Sequence, residues 1–242
     1  MSIKEIHDAL EKDSVKLQYK IDCLMPKAVK FFRKEKVFPA WQVYNYKIPS
    51  TNNQYILFFY VSNRNEIDHP DVVSFCIVFH ENKRYVVTGM KMGYQQTPES
   101  DIVLLPQVHA LTSHFLQQYN KRFWHDSLPD SNIIAGVYLI RNLGLMIPVT
   151  ITEEVNRNVK NYGDHGGQGL KVKDGFCFTQ SGFEGHEDEG GDETRNIIDA
   201  EVLVYTTFVD ESTMSDSQID AINKECSKVM WRCMKYMLNP RR

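Results

Sequence analysis

The chain lacks the features that define membrane, disulfide-stapled and zinc-ribbon proteins. Its longest apolar run, Ile133–Ile140, is far shorter than the ~20 residues that a membrane-spanning helix needs. The five cysteines are an odd number and no C-x-x-C occurs, which excludes zinc-ribbon and thioredoxin-type motifs. The first residues hold no apolar signal-peptide region, so we expect reduced thiols and a soluble, cytoplasmic protein without a membrane partner.

The chain also lacks a strong overall charge. Its formal net charge of −3 excludes a uniformly basic nucleic-acid binder, and its 42% hydrophobic content excludes wholesale disorder. The charge is instead uneven, because residues 181–220 hold twelve acidic residues and a single base, Arg195. Patches of opposite sign allow a soluble chain to bind an anionic partner locally.

Catalytic and nucleotide-binding motifs are missing as well. The sequence contains no G-x-S-x-G, no H-E-x-x-H, no kinase motif set, no Cys/His zinc spacing and no phosphate-binding glycine loop. We find no internal repeat. These absences predict neither a metal nor a cofactor, and they leave open whether the protein is an enzyme.

Strands and helices are grouped along the sequence instead of alternating, which is the α+β pattern. β-branched and aromatic runs predict strands at 42–48, 55–61, 72–79, 85–90, 170–172, 176–179 and 197–209. Lys173, Asp174 and Gly175 lie between two of these runs and predict a hairpin turn. The links between the first four strands are too short for crossover helices. We therefore predict one α+β domain over 1–242, with a central antiparallel meander packed by N-terminal, middle and C-terminal helices on both faces.

Capping residues and prolines set the predicted helix limits. Ser2 and Glu5 form a capping box at the start of the first helix, and Pro26 is expected to interrupt it and to begin a second helix that ends near Lys36. Pro106 is expected to open another helix. The further predicted helices cover 106–125, 131–142, 152–163 and 215–238. Ser215 is the predicted cap of the last one, with Gln218 as its capping-box partner.

Two glycine-rich segments are predicted to be loops. Residues 181–196 are acidic, and carboxylates are the ligands that Ca²⁺ and Mg²⁺ prefer, but their spacing does not match a calcium-binding loop. We therefore interpret this segment as a mobile, solvated loop. Residues 162–169 are interpreted as a flexible turn, because the cluster follows a predicted helix whereas a phosphate-binding loop precedes one.

One predicted helix carries a candidate catalytic set. The set is His114, Lys121, Arg122 and His125, of which Arg122 lies nearer the core edge and the other three lie on the polar side of 106–125. Two imidazoles with nearby cations suit metal-independent phosphodiester cleavage, as general acid, general base and charge stabilisers. The histidines lie about 16 Å apart along a helix, so only one of them can share a site with Lys121 and Arg122. A solvated helix face is the alternative interpretation.

A second candidate surface is basic. Lys27, Lys30, Arg33 and Lys34 recur at helical spacing and could contact an anion such as a phosphate backbone. The acidic segment 181–196 could instead pair with them and promote self-association. The missing motifs favour a non-catalytic binding or assembly module that engages an anionic or protein partner, with nucleic acid among the candidates. The alternative is a ribonuclease-like phosphodiesterase.

Overall fold

The computed structural model describes residues 1–95, 101–152, 168–188 and 195–238. Its helices are α1 (Ile3–Phe32), α2 (Ser113–Phe123), α3 (Ser131–Asn142) and α4 (Asp216–Leu238). Its strands are β1 (Ala40–Lys47), β2 (Gln54–Val61), β3 (Asp71–His80), β4 (Lys83–Gln95), β5 (Ile102–Thr112), β6 (Met146–Thr150), β7 (Gln168–Val172), β8 (Gly175–Asp188) and β9 (Arg195–Val209).

All nine strands belong to one sheet in the order β1-β2-β3-β4-β5-β9-β8-β7-β6. Neighbouring strands are antiparallel except β5 and β9, which run parallel from the pair Gln107–Glu201 to the pair Leu111–Tyr205. Strands β1–β5 and β6–β9 therefore form two antiparallel groups that meet at one parallel seam. The predicted α+β class with a mostly antiparallel sheet is confirmed.

Helices cover both faces of the sheet. On β2, Leu57 and Phe59 belong to the apolar cluster that includes Leu24 of α1. The alternate residue Phe58 belongs to the cluster built around Tyr138 of α3. Because successive strand residues point to opposite faces, both faces of β2 are buried, and this explains its uninterrupted apolar sequence.

The second group of strands is covered in the same way. Phe176 and Phe178 of β8 pack with Ile222 and Cys226 of α4, whereas the intervening Cys177 joins the cluster of α2 and α3. Helix α4 therefore covers the face that α1 covers, and α2 and α3 lie on the other.

The predicted break at Pro26 is wrong. Helix α1 continues through Pro26 and ends at Phe32. Proline removes one i→i−4 hydrogen bond, here the one to Asp22. Pro26 and Asp22 are both exposed, so water can satisfy the freed carbonyl. The buried residues Leu24, Ala28 and Phe32 hold the helix to the sheet on either side.

The predicted helix start at Pro106 is also wrong. Residues 102–112 form strand β5, and α2 begins only at Ser113. The side chain of Thr112 caps α2, accepting a hydrogen bond from the Phe115 amide at 3.1 Å. Pro106 lacks a backbone N–H and cannot donate a hydrogen bond to a neighbouring strand. The pairing of β5 with β9 begins one residue later, at Gln107, so no hydrogen bond between these two strands is lost.

The predicted loop over residues 181–196 is wrong for residues 181–188 and 195–196, whereas its residues 189–194 lie outside the described ranges. Strand β8 continues to Asp188 and β9 begins at Arg195. His186 and Asp199 face each other across the two strands, 2.8 Å apart. Gly185 lies at a bulge, and a Cβ there would come within 2.1 Å of the Ile197 carbonyl oxygen. Close approach of two backbones is therefore the reason for this glycine.

Several other expectations are met. The hairpin around residues 173–175 is present as the β7–β8 turn, and all five cysteines are free. No helix within the described ranges has an apolar stretch that could cross a membrane. The helix predicted over 152–163 and most of the glycine cluster at 162–169 lie outside the described residues.

Candidate binding surface on the first helix

Helix α1 is built to bury one side and expose the other. Ser2 caps it by accepting a hydrogen bond from the Glu5 amide, and the Glu5 carboxylate accepts one from the Ser2 amide in return. The buried positions recur at three- to four-residue spacing and include Leu17, Ile21 and Leu24. The opposite side of the helix is left to solvent.

The exposed side has a shallow depression near its carboxyl end. This open cleft of about 710 Å³ is lined by Asp22, Met25, Pro26, Val29, Lys30 and Arg33. Met25 and Val29 are only half-buried, so apolar surface remains accessible at its floor. Pro26 contributes a rigid apolar ring that cannot donate a backbone hydrogen bond.

Two of the predicted basic residues, Lys30 and Arg33, line this depression. Lys27 and Lys34 lie within about 60° of Lys30 around the helix axis. All three lysines are exposed, and within the described parts of the chain no acidic group pairs with them. We call the surface formed by residues 22–34 the basic face of α1.

Arg33 is the member of the set whose charge is partly neutralised. Its Nη2 atom donates a hydrogen bond of 2.6 Å to Asp68, and both side chains are exposed. That hydrogen bond and the guanidinium charge lower the pKa of the Asp68 carboxyl. The free positive charge of the basic face therefore comes mainly from its lysines.

The structure does not collect the candidate catalytic residues around a cleft. His114 and Lys121 are exposed on α2, and His125 is exposed beyond its end, at a φ of 51°. Arg122 is half-buried and donates a hydrogen bond from Nη1 to the Phe208 carbonyl. None of the four lines the cleft on α1 or the two open clefts that border β1–β3 and β3–β4.

A buried carboxylate that sequence reasoning placed only in a turn is a hub of the structure. The Asp174 side chain, 2% exposed, accepts hydrogen bonds from Arg141 at 2.7 and 2.8 Å, from Tyr119 at 2.7 Å and from Asn142 at 3.0 Å. Burial acts to raise the pKa of Asp174, but these hydrogen bonds and the Arg141 charge outweigh it and lower the pKa. Every donor is already engaged, so the arrangement anchors the β7–β8 turn.

A second buried polar chain runs along the parallel seam. His109 contacts Tyr205 Oη at 2.7 Å through Nδ1 and Gln107 Oε1 at 3.1 Å through Nε2. Gln107 in turn donates to Glu201 at 2.5 Å. Burial lowers the pKa of His109 to about 4, so its imidazole is neutral at physiological pH. The alternation of side chains along a strand could not reveal this hydrogen-bonded series from the sequence, because residues 106–112 also fit a helical pattern.

Comparison with known proteins adds no functional assignment: no protein family, curated protein or solved structure shows significant similarity to this chain.

Proposed function

We propose that this protein is a non-catalytic binding module, and that the basic face of α1 takes an acidic, partly apolar segment of a partner protein. The observation that supports this is the combination of three exposed lysines, unpaired within the described chain, with an accessible apolar floor. Exposed cations alone are common on solvated helices, whereas apolar surface bordered mainly by cations favours a complementary partner, even with the carboxylate of Asp22 in the lining.

The apolar floor favours a protein segment over a nucleic-acid backbone. Phosphates would engage Lys27, Lys30 and Lys34 but would leave Met25 and Val29 uncovered. A peptide with alternating acidic and aliphatic residues satisfies both parts, with an apolar centre and a charged rim as in other protein interfaces. The flexible thioether of Met25 can adapt to different aliphatic side chains.

The phosphodiesterase hypothesis has no comparable support. It requires an imidazole and cations around one phosphate, whereas Arg122 is engaged with the Phe208 carbonyl. His114 and Lys121 lie on an exposed helix outside the clefts described above.

Binding of a labelled sixteen-residue peptide of alternating Glu and Leu, measured by fluorescence anisotropy at two salt concentrations, tests the proposal. Changing Lys27, Lys30 and Lys34 together to Glu should weaken binding by about tenfold or more. The matched control changes the exposed Lys12, Lys121 and Lys224 to Glu, which alters the net charge equally and should leave binding intact.

A single apolar change separates the two classes of partner. Met25→Ser should weaken the peptide and leave the affinity for single-stranded RNA unchanged. If RNA binds more tightly than the peptide and Met25→Ser affects neither, the basic face is a phosphate-binding surface and the proposal is wrong. An equal loss of peptide affinity in the Lys27/Lys30/Lys34 variant and in the Lys12/Lys121/Lys224 control would also refute the proposal, because binding would then depend only on net charge.

A further inference from the structure

His7 is a buried histidine with an unsatisfied ring nitrogen. It is 3% exposed, and its Nδ1 atom is buried without a hydrogen-bond partner. A buried polar atom left without a hydrogen-bond partner destabilises the fold, so a ligand that engages it is favoured. Its nearest acidic neighbour, Asp8 Oδ1, lies at 3.7 Å, which is too far for a hydrogen bond.

The carboxylates of Asp8 and Glu11 lie beside the His7 imidazole. One atom each from His7, Asp8 and Glu11 lies within 4.8 Å of the others. His7 and Glu11 are four residues apart, so they share one side of α1. Asp8 and Glu11 are exposed and can therefore rotate toward a common point without disturbing the core.

The cluster opens onto a cavity and already attracts a cation. His7 and Glu11 line a cleft of about 330 Å³ between α1 and strands β3 and β4, with Gly89 and Lys91 on its strand side. The Lys91 ammonium contacts Glu11 Oε1 at 2.5 Å.

We infer that His7, Asp8 and Glu11 form a binding site for a divalent transition-metal ion of the Zn²⁺ or Co²⁺ type. His7 would bind through Nδ1 and each carboxylate through one oxygen, with the remaining position open to the cavity. One imidazole with two carboxylates suits these ions, whereas Ca²⁺ and Mg²⁺ prefer all-oxygen sites. Lys91 is the competing cation that the ion displaces from Glu11.

The test is a Co²⁺ titration followed by absorbance, with Zn²⁺ calorimetry in parallel. The background carries Cys23→Ser and Cys233→Ser, because these exposed thiols could bind the ions by themselves. We expect one ion per chain. Loss of a residue that only supports a metal ligand weakens metal binding by about 10- to 100-fold, and we expect His7→Gln to weaken it by more than that. The double variant Asp8→Asn with Glu11→Gln should have an equally large effect. Because it alters only exposed side chains, this double variant should still fold.

Matched variants make the outcome decisive. His114→Gln and Asp22→Asn remove an exposed histidine and an exposed α1 carboxylate outside the cluster and should leave the affinity unchanged. Lys91→Ala should strengthen binding, because it removes the cation that occupies Glu11. No binding at millimolar metal, unchanged binding in the double carboxylate variant, or weaker binding after Lys91→Ala would each overturn the inference.

Discussion

The Asp174 hub offers the sharpest test of what holds the second group of strands in place. Asp174 is nearly inaccessible, and the Arg141 guanidinium that neutralises it is stacked over Phe123 and Trp124, at 5.1 and 5.7 Å from the ring centroids. Replacing Asp174 by Ala removes the acceptor of four hydrogen bonds and leaves the Arg141 charge without its partner. The aromatic rings and the β7–β8 turn then lose their common anchor.

The magnitude follows from the burial of the pair. Removing one partner from a fully buried ion pair costs about 3–5 kcal/mol, because the remaining charge stays desolvated. The Arg141 side chain keeps 26% of its surface exposed, so we expect Asp174→Ala to cost about 3 kcal/mol, the lower end of that range. Asp174→Asn keeps the volume of the side chain and part of its hydrogen bonding, so it should cost less. Asp68 provides the matched control, since it pairs with Arg33 at a similar distance but in solvent, and Asp68→Ala should cause no measurable loss.

The pH dependence has a definite sign. The folded-state pKa of Asp174 is lowered, so its carboxylate stabilises the fold above the unfolded pKa of about 3.9. That contribution is lost as the pH falls below this value toward the folded pKa. The difference in unfolding free energy between the native chain and Asp174→Ala should therefore be constant near neutrality and shrink below about pH 4.

Urea unfolding followed by tryptophan fluorescence measures these differences, because Trp124 lies in the network and donates to Tyr119 at 3.2 Å. Comparable stabilities for Asp174→Ala and Asp68→Ala would refute the reasoning. So would a difference between the native chain and Asp174→Ala that grows as the pH falls below 4.

Two further predictions concern the core. Gly136→Ala should destabilise the fold by about 1–3 kcal/mol in thermal or urea unfolding, since its Cβ would lie 2.3 Å from Phe58. The control Gly144→Ala should have no effect, because no atom lies within 4 Å of a Cβ there. Equal losses of stability in the two variants would contradict this prediction. Because burial lowers the pKa of His109 to about 4, stability should fall by about 3 kcal/mol between pH 6.5 and 4. His109→Gln should remove that dependence, and an unchanged pH profile would show that His109 is not its source.

Local patterns were sufficient where one segment determines its own structure. The apolar runs 55–61, 72–79 and 85–90 all lie in strands, and the turn residues 173–175 join β7 to β8. In each case strand propensity and turn chemistry agree, and the pairing partner is the next segment along the chain. The same holds for the last helix, which begins close to the predicted cap at Ser215.

Prediction failed where pairing with another strand overrides the local composition. The residues 106–112 fit a helical as well as a strand pattern, and their pairing with β4 on one side and with β9, almost a hundred residues later, on the other makes them a strand. The glycines and acids at 181–188 resemble a loop until β9, the next strand along the chain, pairs with them. Neither result is encoded in the local composition, because both depend on hydrogen bonds to another strand.

The candidate sites divide along the same line. Helical spacing placed Lys27, Lys30 and Lys34 together. Only the tertiary structure shows that Asp68 neutralises Arg33, whereas no acid in the described parts of the chain pairs with the three lysines. The spacing of His7 and Glu11 was a signal available in the sequence. Its meaning depended on the burial of His7 Nδ1, which the packing of α1 on β4 creates.

The helix macrodipole gives a purely structural reason for some of the charges on α1. Glu184 accepts hydrogen bonds from the Ile3 and Lys4 amides at the amino end, and cations in the last turn are favourable at the carboxyl end. That effect falls off within one turn, so it accounts for Lys30 but not for Lys27, and it does not require apolar surface at Met25. Helix stability therefore does not explain Lys27 or the apolar surface at Met25. These two features are the reason to look for a partner at this end of α1.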